Sequence, residues 1–193
     1  MLVSGLMRPM PHPLQIGATA AGIAASLIVA PSPAGLFGAA LACLAVAIAF
    51  ADARRFRIPN ALNLAGFALG LIRAAMTAPE AALPATGLAL LRSAVLALAF
   101  FMLALAYRRW RGQDGLGRGD VKLAAVAGAW LDWFTIPVVI EIAALTALIA
   151  YVARQHMMRR PARQTDRLPF GLFFAPAIWL GWAIETMELL PLS

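Results

Sequence analysis

The chain has 193 residues, of which 62% are apolar, and its mean hydropathy is +0.81. This composition excludes a soluble globular domain, which cannot bury so much apolar surface at this length, and it predicts a polytopic membrane protein. The formal net charge of +7 would suggest nucleic-acid binding in a soluble chain. Because the arginines here cluster between apolar runs, we expect basic cytoplasmic loops and no nucleic-acid partner.

Seven apolar runs follow one another along the chain, and most of them approach the about 20 residues that a membrane-spanning helix needs. Prolines and charged residues separate them. We predict an all-α bundle of seven transmembrane helices, or six if the first two form one poorly inserted hairpin, in a single domain over residues 1–193. The predicted helices are Leu14–Ala30, Ala34–Ala51, one opening at Ile58-Pro59-Asn60 and ending near Ala78, Ala85–Tyr107, Asp120–Phe134, Thr135–Ala153 and Pro169–Leu189.

The distribution of arginines predicts the orientation of this bundle. With alternating helices, three basic segments fall on the same side of the membrane as Arg8: Arg54–Arg57, Arg108–Lys122 and Arg154–Arg167. The opposite side has acidic residues and no lysine or arginine outside the helices. The positive-inside rule therefore places the N-terminus and the basic segments in the cytoplasm, and the C-terminus outside.

Two aspartates lie at helix ends on the predicted cytoplasmic side, because Asp52 closes the second helix and Asp120 opens the fifth. A carboxylate in a membrane helix costs about 2.5–3.5 kcal/mol on insertion scales, and such residues usually mark a functional site. If the two carboxyls lie close together, repulsion separates their titrations, so one is protonated and the other ionised at neutral pH. That state suits peptide hydrolysis, in which a carboxylate activates water and a carboxylic acid polarises the scissile carbonyl.

Helix dipoles give a hypothesis for the two roles. The negative end of the second helix disfavours ionisation of Asp52, and the positive end of the fifth favours ionisation of Asp120, which would make Asp52 the acid and Asp120 the base. The charges of Arg54, Arg55 and Lys122 would favour the reverse, so both assignments stay open.

The glycine-rich loop before Asp120 has two interpretations. Gly115, Gly117 and Gly119 permit close approach of a peptide backbone, or the loop merely joins two helices. Lys122 likewise is either an interfacial charge that reaches the membrane surface or an electrostatic part of the site.

Three segments resemble the type IV prepilin peptidases, which belong to the GxGD group of intramembrane aspartyl proteases. The stretch Gly117-Arg118-Gly119-Asp120-Val121-Lys122 looks like their G-x-G-D-x-K signature. Asp52 followed by Ile58-Pro59-Asn60 resembles their first catalytic segment, and Leu168-Pro169-Phe170-Gly171 resembles their late proline-glycine motif. The three segments occur in the family's order and span most of the chain.

The resemblance implies an aspartic endopeptidase that removes the leader peptide of type IV prepilins or pseudopilins. It would act at the cytoplasmic face of the bacterial inner membrane, with Asp52 and Asp120 catalytic and with no metal or other cofactor. The matching residues that would support the site are Pro59, Asn60, Gly117, Gly119, Lys122, Pro169, Phe170 and Gly171.

Two departures from the family pattern carry further implications. Long bifunctional members have a cytoplasmic insert with cysteine pairs and also N-methylate the new terminus, whereas this chain has one cysteine, Cys43. It is therefore similar to the short peptidase-only branch of Flp-type, or tight-adherence, pili, without N-methyltransferase activity. Leu172 stands where the family usually has a second proline, so the resemblance does not predict the details of the substrate groove at this position.

Two other functions remain as alternatives. The first is another GxGD-type intramembrane protease; signal peptide peptidases would be expected to carry Tyr-Asp and Pro-Ala-Leu motifs, but Ala51 precedes Asp52 and Phe170 follows Pro169. The second is a non-catalytic or proton-coupled membrane protein with paired carboxylates, which would need a path across the membrane. Apart from a prepilin substrate and membrane lipid, the sequence indicates no partner and leaves the oligomeric state open.

Two structural expectations concern the predicted outer side. We expect Glu141 to pair with Arg73 or Arg92, because charges inside membrane helices usually pair with one another. We also expect four tryptophans to anchor the outer interface as an aromatic belt. They are Trp130, Trp133, Trp179 and Trp182.

Overall fold

The computed structural model describes residues 12–30, 32–112, 115–158 and 169–187. These residues form seven α-helices, one short 3-10 helix (Pro79–Ala81) and no strand, which confirms the predicted all-α bundle. The α-helices are α1 (His12–Val29), α2 (Pro33–Arg55), α3 (Asn60–Thr77), α4 (Ala82–Arg111), α5 (Arg118–Trp130), α6 (Thr135–Met158) and α7 (Gly171–Thr186).

The end of α2 differs from the prediction in a way that matters for the site. Asp52 lies inside the last turn and does not end the helix, which continues to Arg55. Basic residues in a last turn interact favourably with the negative end of the helix dipole, so the arginines extend the helix. Phe56 then ends it in a left-handed conformation, with φ 50°, and its N–H donates to the Asp52 carbonyl at 2.8 Å.

Helix α4 is longer than predicted at both ends. It begins at Ala82 and contains Pro84, which was expected to lie in the preceding link, because proline is tolerated in the first turn of a helix. It continues past Tyr107 to Arg111, where Gly112 adopts the left-handed conformation typical of a helix C-terminus.

Helix lengths indicate which parts of the bundle cross the membrane. Of the described helices, α2, α4 with the preceding 3-10 turn, and α6 are long and apolar enough to span it. In contrast, α5 has 13 residues and is about 20 Å long, shorter than the about 30 Å hydrocarbon core. The protein is therefore an integral membrane protein in which α5 is enclosed by longer helices.

Helix α5 lies at the centre of the bundle, packed against α3, α4 and α7. Small residues let its neighbours approach closely. A Cβ atom at Gly128 would lie 2.5 Å from the Ser93 nitrogen and 2.6 Å from the Arg92 carbonyl carbon, both in the backbone of α4. The large Trp130 fills the space at the end of α5, where its Nε1 donates to the Gly66 carbonyl at 2.8 Å.

This packing contradicts the predicted aromatic belt for two of its four members. Trp130 and Trp182 are 1% and 0% exposed, so both belong to the core. Trp179 is half-buried and donates to the Ser26 hydroxyl at 2.9 Å, while Trp133 is exposed. A tryptophan near a helix end fills a gap between helices when the facing residues are small, as Gly38 is opposite Trp182.

A polar cluster holds the end of α5 that is remote from Asp120. Arg92 forms an ion pair with Asp132 at 2.6 Å, and Arg73 donates to the Trp130 carbonyl at 3.0 Å. Glu141 is exposed on α6 and pairs with neither arginine in the described part of the chain, so the predicted pairing is wrong. Asp132, in the turn after α5, supplies the carboxylate instead.

The close contact between α4 and α5 predicts the effect of a single methyl group. We expect Gly128→Ala to destabilise the protein by about 1–3 kcal/mol, because the new methyl meets backbone atoms that cannot move aside. Thermal unfolding in detergent measures this as a lower midpoint. The control is Gly87→Ala on α4, where a Cβ would have no atom within 4 Å and the better helix propensity of alanine should leave stability equal or higher. Equal midpoints for both variants would contradict the close packing.

Candidate active site

A cavity of about 1650 Å³ opens at the end of the bundle where α2 and α4 end and where α3, α5 and α7 begin. Asp52 and Asp120 both line it, and they are 6% and 9% exposed. The two aspartates that the sequence singled out are therefore brought into one cavity by helices far apart in the chain.

The Asp52 carboxylate faces the beginning of α7. Its Oδ2 accepts the N–H of Leu172 at 3.3 Å. Gly171 makes this approach possible, because a Cβ there would lie 2.9 Å from the same oxygen. The unpaired N–H groups and the dipole of a helix N-terminus favour negative charge. The expectation that Asp52 meets only the negative end of α2 is therefore incomplete.

The Asp120 carboxylate lies in the first turn of α5, outside the three long membrane helices. Its Oδ2 accepts the N–H of Gly117 at 3.1 Å. Burial, followed by the nearby charge of Asp52, raises the pKa of Asp120 to about 6, and the Gly117 N–H partly opposes this rise. Both carboxylates face helix N-termini, but Asp52 also lies in the last turn of α2, so the assignment of acid and base stays a prediction.

Ile58 lies between the two helix beginnings, and the sequence analysis gave it no role at the site. A Cβ at Gly119 would lie 3.2 Å from the Ile58 Cβ, and a Cβ at Gly171 would lie 2.7 Å from its Cδ1. Ile58 is 9% exposed. Its signal in the sequence was its place in the Ile58-Pro59-Asn60 segment that follows Asp52, as a single apolar residue between Arg57 and Pro59. Its side chain thus contacts both the glycine that precedes Asp120 and the glycine beneath Asp52.

The other predicted site residues surround the cavity. Lys122 Nζ donates to the Asn60 side-chain oxygen at 2.7 Å, joining the beginnings of α3 and α5. Asn63, which the sequence analysis missed, donates to the Gly119 carbonyl at 3.4 Å and is 4% exposed. The cavity lining contains all of the predicted supporting residues except Gly171, namely Pro59, Asn60, Gly117, Gly119, Lys122, Pro169 and Phe170. Leu168 lies outside the described residues.

The rim of the cavity is basic. Residues from two of the three predicted basic segments line it, so these two segments lie at one end of the bundle. The lining residues are Arg55, Arg57, Arg108, Arg118 and Lys122. Of the third segment, Arg154 lies within α6, and residues 159–168 are outside the described chain. In the ranges that the structure describes, no three His, Cys, Asp or Glu side chains are grouped to hold a metal ion.

Comparison with known proteins identifies the family. Residues 39–152 match the type IV leader peptidase family. A prepilin leader peptidase/N-methyltransferase of Aeromonas hydrophila is 28% identical over 162 residues, covering 82% of this chain and 52% of that protein. One from Burkholderia pseudomallei (strain K96243) is 33% identical over 172 residues, covering 84% and 50%. The leader peptidase HopD of Escherichia coli is 32% identical over 142 residues, covering 73% and 88%. No solved structure gave a significant match.

This chain belongs to the type IV leader peptidase family, because the family match covers more than half of it and HopD is matched over most of its length. The resemblance seen in the sequence is therefore confirmed. The chain spans about half the length of the Aeromonas hydrophila and Burkholderia pseudomallei relatives.

The shared cavity predicts that the two carboxyls titrate together. We expect the Asp120 carboxyl, followed by infrared difference spectroscopy, to titrate with a midpoint near its pKa of about 6. In Asp52→Asn the midpoint should fall, because the repelling charge is lost, while burial keeps it above the usual aspartate range. The same midpoint in both proteins would show that Asp52 does not act on Asp120.

Proposed function

We propose that this protein is an aspartic endopeptidase that cleaves the leader peptide of type IV prepilins or pseudopilins, with Asp52 and Asp120 as its catalytic pair. One observation carries the proposal. Two buried carboxyls from different helices line a single cavity, and each accepts a backbone N–H at the beginning of a helix, in a chain of the leader peptidase family.

The proposed chemistry needs one proton on the pair. Two nearby carboxyls that interact strongly lose their protons in two separated steps, so between those steps one is protonated and the other is ionised. The ionised carboxylate takes a proton from water as the water oxygen attacks the scissile carbonyl carbon. The protonated carboxyl donates to the carbonyl oxygen. Transfer of a proton to the amide nitrogen then breaks the C–N bond and leaves a carboxylic acid and an amine.

The surroundings of the pair support this chemistry. Each carboxylate is fixed by a backbone donor, so little reorganisation is needed when charge moves between the carboxyls and the substrate. Ile58, in contact with Gly119 and Gly171, keeps the two helix beginnings at a set spacing. Gly117 is exposed and has no side chain, so an extended peptide can approach its backbone beside Asp120, whereas Gly115 is packed against the Tyr107 ring.

We further propose that the cavity faces the cytoplasm in the bacterial inner membrane. The basic residues at its rim support this orientation, because cytoplasmic ends of membrane helices carry the excess of lysine and arginine. We also infer a peptidase-only enzyme acting on Flp-like prepilins, without N-methyltransferase activity. The extensive match to HopD, a relative described only as a leader peptidase, supports the first part of that inference.

Removing either carboxylate should abolish cleavage. We expect Asp52→Asn and Asp120→Asn to lower the rate of prepilin cleavage by the protein in liposomes on the order of 10²–10⁴-fold, since each variant loses the acid or the base. Glu141→Gln, which changes an exposed carboxylate on α6, is the matched control and should retain the parent rate. Normal cleavage by either aspartate variant would remove the proposed mechanism.

The rate of cleavage should also depend on pH with a definite sign. As the pH rises above about 6, Asp120 loses its proton while Asp52 is already ionised, so the pair loses its acid and kcat/KM should decline toward higher pH. Initial rates from pH 4 to 8 test this, with the folded state checked at each pH. A rate that stays constant or rises from pH 6 to pH 8 would show that no group of this kind must be protonated.

A further inference from the structure

One wall of the cavity is apolar and belongs to α4. Phe101, Ala104 and Leu105 line it, and Ala104 and Leu105 lie three and four residues after Phe101, so both neighbour it on one side of the helix. We call these three residues the α4 wall. Phe101 and Leu105 are 51% and 50% exposed, although they lie in the half of α4 that leads to the candidate active site.

Another helix does not cover the α4 wall in the described part of the chain. Helix α4 packs against α3 and α5, while α6 packs against α7. Helix α4 contacts α7 through the stacked rings of Phe100 and Phe174, whose centroids are 5.6 Å apart. The bundle is therefore open beside the wall, and the opening is continuous with the space that Asp52 and Asp120 line.

The depth of the wall indicates which medium it faces. Helix α4 has 30 residues and is about 45 Å long, against a hydrocarbon core of about 30 Å. Its basic last turn, with Arg108, Arg109 and Arg111, requires water or headgroups, so the excess length lies at that end. Phe101 is about 15 Å before that end. The α4 wall therefore begins at Phe101, near the edge of the hydrocarbon core, and extends from there toward the end of the bundle that holds Asp52 and Asp120.

An occupant of this wall must suit both of its ends. Near the hydrocarbon edge a peptide has to satisfy its own backbone hydrogen bonds, which a helix does. At the other end the cavity holds the two carboxylates beside exposed glycines, where an extended stretch fits. A chain with an apolar helix joined to an extended segment suits both the apolar end and the carboxylate end of the wall. A lipid acyl chain suits only the apolar end.

We infer that the α4 wall is the docking surface for the apolar helix of the substrate, which enters from the lipid and places its adjoining extended segment at Asp52 and Asp120. This inference rests on the proposed function and adds the surface that selects the substrate. The small side chain of Ala104, between Phe101 and Leu105, gives the substrate helix room to approach closely.

Tryptophan substitutions at adjacent positions test the wall. Ala104→Trp fills it, whereas Leu103→Trp enlarges a neighbouring residue that is 60% exposed and does not line the cavity. With a prepilin that retains its apolar segment, we expect Ala104→Trp to raise KM by about tenfold or more and to leave kcat within about twofold, because binding is lost but the carboxyl pair is untouched. Leu103→Trp should match the parent. Equal KM values for the two variants would overturn the inference.

Photo-crosslinking supplies a readout that does not depend on the activity of a variant. We expect benzoylphenylalanine at position 105, in an Asp120→Asn background that retains the substrate, to crosslink to the apolar segment of the prepilin, and the same group at position 103 not to do so. Crosslinks to lipid alone, or equal crosslinks from both positions, would show that the wall is a lipid contact. If the parent protein does not cleave the prepilin, the proposed function fails; if it cleaves but position 105 does not crosslink, only the docking surface fails.

Discussion

The arrangement of this protein depends on two carboxylates held by the beginnings of two helices. Asp52 reaches across from the last turn of α2 to the N-terminus of α7, and Asp120 accepts a hydrogen bond within the first turn of α5. Buried carboxylates are costly, and backbone donors lower that cost without bringing in a counter-charge that would neutralise the pair. Ile58 contacts both helix beginnings, so the spacing of the carboxylates is set by packing between helices.

The opposite end of α5 is fixed by different chemistry. Arg73 and Arg92 donate to the carbonyls of Trp130 and Gly128, and Arg92 also pairs with Asp132. These bonds satisfy the carbonyls that a helix leaves unpaired at its C-terminus, and they place cations at the negative end of its dipole. A short central helix that cannot span the bilayer is thereby held at both ends, so Asp120 has a set position along the bundle.

Periodicity and charge were sufficient to predict the seven helices, the two basic segments that share one end of the bundle and the positions of Asp52 and Asp120 near helix ends, because these depend on local composition. Contacts between helices were not predictable in the same way. The partner of Arg92 proved to be Asp132 and not Glu141, since Asp132 lies in a turn whose position only the packing defines. The role of Ile58 was hidden for the same reason: two glycines, both distant in sequence, give it its contacts.

The most direct measurement is a structure of the protein with a leader peptide whose scissile amide is replaced by a hydroxyl-bearing isostere, which resembles the intermediate formed when water adds to the carbonyl. The hydroxyl should lie within hydrogen-bonding distance, about 2.5–3.0 Å, of carboxyl oxygens of both Asp52 and Asp120. A peptide bound with its hydroxyl against one aspartate only, or outside the cavity, would contradict catalysis by the pair.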